Sequence, residues 1–321
     1  MTLSLLGCAT ESTTAPSDVP LTVEDASSDE VSTAVGDTQE GIDDPALPAP
    51  TIRYLYAPLT TWTTFPDDLY TVDDPESATG LRVDFGPERA PWRPEVLRAH
   101  EALLAALDGF DGWGTTGGIL LHFDGPLAPL VSGEASRDSD VLMLVSLGED
   151  GATRIPYEVE TTEDHGLVIW PMRPLAQATR HGLVMTRLQG VAADGGSVGP
   201  SDALRALLEG TATEAPAQRM LPAYAELLAA TGLAPGEVAA AVVFTTQAAT
   251  ARSEAVAADI ATRDIGFTEA PVCEAFDDMR RCLGTFEAYN YRDADKINRS
   301  EAPTGTYTLP FVAWLPATTD G

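Results

Sequence analysis

Five short segments between Gly118 and Gln189 are rich in apolar residues, and clusters of turn-forming residues separate them. Segments of this length, bounded by turns, are typical of β-strands. We predict strands at residues 119–123, 141–147, 154–160, 166–171 and 181–188. Because short strands with turns at this spacing pair with antiparallel neighbours, the sequence predicts an antiparallel β-sandwich.

Helical patterns lie on both sides of these strands. Residues 94–107 form an amphipathic repeat, with a proline at its start and a glycine just past its end. A helical insertion is predicted over 201–232, followed by an apolar strand at 238–246, which we place centrally in a sheet, and by a helix at 249–263. The fold class is therefore mainly β with helical insertions (α+β).

This pattern divides the folded part of the chain into three regions. We predict an N-terminal segment over 51–113 and a β-sandwich with its helical insertion over 114–248. A C-terminal part over 249–321 holds a helix, a cysteine loop and a β segment.

The charge balance restricts the partners of the chain. Its 321 residues include 49 Asp and Glu against 19 Lys and Arg, a formal net charge of −30. Nucleic-acid affinity comes from basic groups that neutralise phosphates, so this composition argues against nucleic acid as a partner. The same charge opposes adsorption to anionic lipid. No apolar run approaches the ~20 residues of a transmembrane helix.

The first residues point to another route to a membrane. The sequence Leu5-Leu6-Gly7-Cys8 is similar to the bacterial lipobox, in which the cysteine is acylated and becomes the mature N-terminus. The apolar run before Cys8 is shorter than a signal peptide requires and lacks a basic start, so we interpret residues 1–8 as the remnant of a lipoprotein signal. The alternative is a chance cysteine near an ordinary N-terminus.

Residues 9–50 have the composition of a tether. They contain no aromatic residue, no Lys and no Arg, but many Ser, Thr, Pro, Asp and Glu. Such a segment buries too little apolar area to offset its ordering entropy, so we predict a disordered acidic tether. Together with a lipid on Cys8, it places the folded part away from a membrane surface.

The other two cysteines, Cys273 and Cys282, form an even pair when Cys8 is lipidated. A disulfide between them would fit an exported protein. Two free thiols or a metal site are the alternatives, and a metal site would need further ligands nearby. The histidines are distant in sequence; they are His100, His122, His165 and His181.

Two sets of short signals carry a resemblance to known families. The first set consists of 126–129 (PLAP), 140–145 (DVLMLV), 155–157 (IPY), 171–175 (PMRPL), 179–184 (TRHGLV) and 244–246 (FTT). Over 118–248 it resembles the bacterial Ig-like domains of S-layer and surface proteins, which implies an Ig-like antiparallel β-sandwich. The second set adds 65–72 (FPDDLYTV), 79–83 (TGLRV), 284–286 (GTF) and 307–311 (YTLPF). The whole arrangement resembles the N-terminal region of exported lipases and esterases of the virulence-factor type, which implies an α/β-hydrolase domain after Gly321.

One motif of catalytic type is present. Residues 195–199 (GGSVG) match G-x-S-x-G, in which Ser197 would be the nucleophile. That motif needs an acid and a histidine later in the chain, and no histidine follows His181. We therefore interpret it as a surface turn and predict no catalytic residue, no cofactor and no metal ligand within this chain.

Acidic pairs and tryptophans are the remaining candidates. The pairs Asp67-Asp68, Asp73-Asp74 and Asp277-Asp278 could serve as acid and base or bind Ca²⁺, but we interpret them as structural or solvated because 49 acids produce such pairs freely. The tryptophans fit either core positions or a carbohydrate- or lipid-binding surface. They are Trp62, Trp92, Trp113, Trp170 and Trp314.

The sequence thus supports two functional hypotheses. In the first, the chain is a non-catalytic lipoprotein module of the bacterial cell envelope, membrane-anchored through Cys8, with a spacing or partner-binding role. In the second, it is the non-catalytic N-terminal portion of an exported serine lipase or esterase, whose hydrolase domain follows in the same polypeptide.

Overall fold

A computed structural model of the protein describes residues 49–61, 64–91, 107, 110–148, 151–292 and 302–316. Cys8, nearly all of the predicted tether and the predicted helix at 94–107 with His100 lie outside these residues, except for Leu107. Trp62 and Trp92 lie outside them as well.

The described part is mainly β, with several antiparallel sheets and helices between them. Its strands are β1 (Ile52–Arg53), β2 (Thr71–Asp73), β3 (Leu81–Val83), β4 (Ile119–His122), β5 (Leu142–Gly148), β6 (Gly151–Ile155), β7 (Tyr157–Thr161), β8 (Gly166–Pro171), β9 (Arg180–Thr186), β10 (Val198–Gly199), β11 (Val238–Thr245), β12 (Val272–Phe276), β13 (Met279–Asn290) and β14 (Gly305–Pro316). Its α-helices are α1 (Asp202–Leu208), α2 (Ala215–Thr231) and α3 (Ala251–Ala261). Short 3₁₀ helices occur at Asp68–Tyr70, Glu134–Asp138 and Pro235–Glu237.

A four-stranded antiparallel sheet holds the centre of the core, with the strand order β11-β9-β5-β6. All eight residues of β11 are buried, as an apolar run predicts. The prediction that this strand is central in its sheet is wrong, because β11 is the last strand in the order. Its outer side is instead occupied by Trp113, whose backbone N–H donates to Thr245 O at 2.9 Å, and by the side chain of Asp68.

A three-stranded antiparallel sheet, β4-β8-β7, contributes to the same core. The prediction of one strand over 154–160 is wrong, because the chain leaves the first sheet after Ile155 and enters the second at Tyr157. Pro156 stands at this change of sheet, where its missing N–H costs neither ladder a hydrogen bond. The Tyr157 hydroxyl then donates back to Leu142 O at 2.6 Å, which joins the two sheets.

Helices α1 and α2 confirm the predicted helical insertion. Ser201 caps α1 by accepting a hydrogen bond from Leu204 N at 3.2 Å, and α2 ends at Gly232, whose φ of 72° is a left-handed conformation that glycine adopts easily. Helix α2 packs directly on β9, because a Cβ at Gly182 would lie only 2.4 Å from Leu227 Cδ1. The absence of a side chain at Gly182 therefore sets the distance between helix and sheet.

The C-terminal strands form a separate three-stranded antiparallel sheet, β12-β13-β14, which we call the ribbon. Cys273 and Cys282 lie directly opposite each other in it, with Cα atoms 4.0 Å apart, and form a disulfide. The disulfide prediction is thus confirmed. Near the other end of β13, the Tyr291 hydroxyl donates to Asp259 of α3 at 2.5 Å.

Candidate binding surface

The acidic pair Asp67-Asp68 is buried, so of the two interpretations given above, structural or solvated, these side chains fit the structural one. Asp68 accepts hydrogen bonds from Thr245 N at 2.9 Å, from the Thr245 hydroxyl at 2.7 Å and from Trp113 Nε1 at 3.0 Å. Burial raises the pKa of Asp68, while the bonds from Thr245 oppose this shift. The Asp68 carboxylate thus accepts hydrogen bonds at the outer edge of β11, where no further strand of the described residues pairs with Thr245.

Asp67 is the acceptor at the end of a buried chain of hydroxyl groups. The Tyr224 hydroxyl lies 3.5 Å from that of Tyr56, which donates to Asp67 Oδ2 at 2.7 Å. Leu69 N donates to the other carboxylate oxygen at 2.8 Å. Burial raises the pKa of Asp67 to about 7, against the opposing effect of these donors. This row of hydrogen-bonded groups connects α2 to the N-terminal segment of the core.

This cluster does not have the access that a reacting group needs. Asp67 is fully buried and Asp68 is 3% exposed, and each accepts bonds from neighbouring protein groups. Burial also raises the pKa of the Tyr56 and Tyr224 phenols well above their usual range, so both stay protonated. We therefore assign the cluster to stability of the fold.

His181 is buried in β9 and stacks on Phe244 with ring centroids 5.6 Å apart. Its Nδ1 lies 2.9 Å from Thr179 O, which fixes the proton on that nitrogen. Burial lowers the pKa of His181 to about 4, so the ring is neutral near neutral pH. This environment is that of a core residue.

Ser197 is also inside the protein. A turn ends at Gly195, whose φ is 85°, but the prediction of a surface turn over 195–199 is wrong beyond it. Ser197 is 1% exposed, and residues 198–199 form the buried strand β10, which pairs with β1. Its carbonyl accepts hydrogen bonds from Thr51 N at 3.0 Å and from Ile52 N at 3.3 Å. The structure brings no histidine to this serine among the contacts of the described residues.

Whereas the polar groups described above are buried, the ribbon has large apolar side chains exposed on one of its faces. Directly opposite residues of antiparallel strands project to the same face. Val272, Leu283 and Val312 form one such cross-strand row. Phe276 and Trp314 lie on this face too, and Val272 and Val312 are 72% and 56% exposed. We call these five residues the Trp314 face.

Arg281 organises the aromatic part of the Trp314 face. Its guanidinium carbon lies 5.9 Å from the centroid of Phe276 and 5.9 Å from that of Trp314. The two rings contact each other edge to face at 5.3 Å, and Glu274 pairs with the guanidinium. A cation held between two exposed rings fixes their orientation without covering them.

The second face of the ribbon is partly covered by its own residues. Phe267 stacks on Phe311 at 5.2 Å, and Phe286 lies beside Phe311 at 6.3 Å. Gly284 makes room for this packing, since a Cβ there would lie 2.7 Å from the Phe311 ring. Phe267 nevertheless remains 62% exposed.

The tryptophans are thus divided between the two environments that the sequence left open. Trp113 is buried beside Asp68, whereas Trp170 and Trp314 are 43% and 47% exposed. Trp170 lies in β8, within the described residues outside the ribbon, which we call the body, and donates to Glu160 at 3.0 Å. Of these two tryptophans, only Trp314 belongs to the Trp314 face.

The sequence contained a signal for this surface that our reading of it did not use. The twelve residues of β14 carry no charge, although the chain as a whole has a net charge of −30. Apolar residues occur on both faces of β14, as in strands that are covered on both sides. In the structure, nine of its twelve residues are exposed.

None of the helices in the described residues has the length and apolar content needed to cross a membrane. In the same residues, no group of three His, Cys, Asp or Glu side chains is placed to hold a metal ion.

Comparison with protein-family models, with curated proteins and with solved structures finds no match to this chain. The resemblance to Ig-like domains and to lipase N-terminal regions therefore stays a prediction.

Proposed function

We propose that this chain is a non-catalytic module of the bacterial cell envelope that binds a protein partner through the Trp314 face. The observation that carries the proposal is the exposure of five large apolar side chains on one face of the ribbon. Clusters of exposed apolar side chains of this kind mark interaction sites, because an isolated protein gains nothing from leaving them in water.

The groups that could have supported catalysis favour the non-catalytic role. Ser197, His181 and Asp67 are each sealed inside the protein. Their hydrogen bonds and pKa shifts fit structural roles, as described above. A partner-binding role uses the exposed apolar side chains of the Trp314 face.

The envelope location rests on Cys8 and the acidic segment after it. A lipid on Cys8 and a disordered tether over 9–50 would hold the folded part away from the membrane. The disulfide fits an exported protein. The two sheets that share one core fit the proposed Ig-like sandwich, which would serve as the spacer that presents the ribbon.

Acylation of Cys8 is tested by mass spectrometry of the protein purified from its source organism, with Cys8→Ser as the control. We expect a diacylated or triacylated N-terminal cysteine and loss of membrane association in Cys8→Ser. An unmodified Cys8 in protein recovered from the cytosol would refute the envelope location.

Partner binding is tested by co-purification from envelope extracts with wild type, Trp314→Ala and Trp170→Ala. Trp170 is the matched control because it is about equally exposed but stands outside the Trp314 face. We expect one protein to be retained by wild type and Trp170→Ala and lost with Trp314→Ala. Equal recovery with all three would contradict the proposal.

A second candidate function is the N-terminal, non-catalytic portion of an exported serine lipase or esterase. It is favoured by β14, which is apolar on both faces but, among the described residues, is paired with a neighbour on one side only. A hydrolase domain in the same polypeptide would cover it. Reading the gene past codon 321 tests this candidate, which requires a G-x-S-x-G elbow followed by an acid and a histidine.

Both candidates predict that purified residues 1–321 do not hydrolyse short-chain nitrophenyl esters. Turnover that is abolished by Ser197→Ala would contradict both of them.

A further inference from the structure

Two prolines in β14 determine which backbone groups its outer edge offers to a neighbouring strand. Pro310 and Pro316 are both in the strand, and a proline lacks the N–H that a ladder requires. The backbone groups of alternate strand residues point to the same side. The direction in which Pro310 points therefore decides which residues of β14 offer their backbone to a neighbour.

A hydrogen bond elsewhere in the ribbon fixes this direction. Thr285 is the partner of Pro310, and Thr285 O accepts from Thr268 N at 3.0 Å on the side of β13 that faces away from β14. Thr285 and Pro310 are therefore a non-hydrogen-bonded pair, in which the backbone groups of both residues point outward. Since Val312 and Trp314 follow Pro310 at steps of two, their N–H and C=O groups also point away from β13.

The same two residues supply side chains to the Trp314 face. Val312 is 56% exposed and Trp314 is 47% exposed. Backbone donors, backbone acceptors and apolar side chains thus coincide in a short stretch of edge between the two prolines. Edge strands with these properties pair readily with another extended chain.

We infer that the ribbon binds its partner by β-strand addition, with an extended, apolar segment of the partner pairing at Val312 and Trp314. This inference rests on the proposed partner-binding function and adds the mode of binding and the kind of segment bound.

The charge of the chain favours a different protein over a second copy. Each copy carries a net charge of −30, so two copies repel each other at long range, whereas a segment with basic residues beside its apolar part is attracted. β14 itself has no charge and sets no charge requirement on the paired residues. The expected segment therefore alternates apolar residues and has Lys or Arg at its ends.

The probe is a synthetic peptide of alternating valine and threonine with two lysines at each end, and a second peptide has glutamates in place of the lysines. Binding to the disulfide-bonded chain is measured by fluorescence anisotropy. Amide hydrogen exchange at Val312 and Trp314 is measured with and without peptide. We expect the lysine peptide to bind, to slow exchange at both amides and to bind more tightly than the glutamate peptide.

Three variants test the mode of binding. Val312→Pro removes an outward N–H without removing a bond to β13, and we expect it to weaken binding by about tenfold or more. Val312→Thr keeps the N–H and the branched shape and retains binding. Thr308→Pro removes an outward N–H on the other side of Pro310 and is the matched control. Exchange of the β13 amides shows whether each variant keeps the ribbon folded.

Several results would overturn the inference. One is that the lysine peptide does not bind at millimolar concentration. Another is that Thr308→Pro and Val312→Pro lose binding equally, and a third is that Val312→Pro retains full binding. A concentration-dependent dimer that is lost in Val312→Pro would assign the edge to a second copy instead. If Trp314→Ala loses the envelope partner while Val312→Pro retains it, strand addition fails and the proposed function stands.

Discussion

The body of the protein and its C-terminal ribbon differ in which side chains they bury: the body buries charged groups, and the ribbon exposes apolar ones. In the body, Asp67 and Asp68 are buried and each accepts several hydrogen bonds. In the ribbon, Val272 and Trp314 are apolar and exposed. Internal polar contacts therefore stabilise the body, while the ribbon leaves apolar side chains exposed.

The largest expected effect in this comparison comes from Asp68→Ala in the body. The substitution leaves Thr245 N and Trp113 Nε1 buried without their acceptor, which costs about 3–5 kcal/mol. Asp278→Ala, at the exposed turn of the ribbon, is the control and changes stability by about 0.5 kcal/mol or less. Urea unfolding measures both. Equal midpoints would show that Asp68 does not hold the edge of β11.

The next effect is a pair of opposed pH dependences within the body. The pKa of Asp67 is about 7 in the folded protein, above its usual 3.8, so its contribution to stability is lost as pH rises from about 4 through 7. The pKa of His181 is about 4, below its usual 6.5, so its contribution is lost as pH falls from 6.5 through 4. The two slopes, each up to about 1.4 kcal/mol per pH unit, oppose each other.

Single variants separate these slopes. Asp67→Asn lacks the gain in stability that protonation of Asp67 gives on acidification, so it is expected to lose more stability than wild type between pH 6.5 and 4. His181→Gln, without the histidine slope, is expected to become relatively more stable over the same change. Urea unfolding at a series of pH values measures each difference from wild type. Parallel curves for all three proteins would contradict the assigned pKa shifts.

The disulfide tests the ribbon alone. Replacing both Cys273 and Cys282 by serine removes a cross-link that is worth about 2–3 kcal/mol for a loop of this length. We expect faster amide exchange in β13 and β14 and unchanged exchange in β9 and β11. Exchange that accelerates equally in both regions would mean that ribbon and body unfold as one unit.

A smaller effect compares two glycines. Gly182→Ala in the body sets a Cβ against buried Leu227, which costs about 1–3 kcal/mol, and adding Leu227→Ala should relieve part of that cost. Gly284→Ala in the ribbon meets the Phe311 ring, which is only half-buried, so we expect a smaller cost of about 1 kcal/mol or less. Thermal unfolding measures the three variants. A larger cost at Gly284 would show that the ribbon is packed as tightly as the body.

The smallest effect on stability is expected on the Trp314 face. Trp314→Ala removes an exposed side chain, so the free energy of unfolding should change by about 0.5 kcal/mol or less. The thermal midpoint measures this change, and Trp113→Ala, at the buried tryptophan, is the contrasting variant. A large loss of stability in Trp314→Ala would assign the tryptophan to the core of the ribbon.

The elements that follow from local sequence pattern were predictable. The strand at 166–171, the helix ending at Gly232 and the disulfide each have their signal in adjacent residues. The change of sheet at Pro156 was not predictable in the same way, because alternation continues across it and only the pairing partners differ.

The burial of Asp67 and Asp68 depends on residues far along the chain. Thr245 and Trp113 supply the hydrogen bonds that make burial of Asp68 possible, and neither is near it in sequence. The sequence therefore left open whether this pair of acids is structural or solvated. The ribbon was different, since the uncharged β14 carried a usable signal, but its exposure depends on which elements the fold leaves uncovered.

The central claim is that the ribbon, not the body, contacts the partner. The direct measurement is photo-crosslinking in envelope extracts with a photoreactive phenylalanine analogue at position 314, compared with the same analogue at position 170. The account predicts one discrete crosslinked protein from position 314, which excess unlabelled wild type suppresses and Trp314→Ala does not, and no such product from position 170. The same product from both positions, or from position 170 alone, would contradict it.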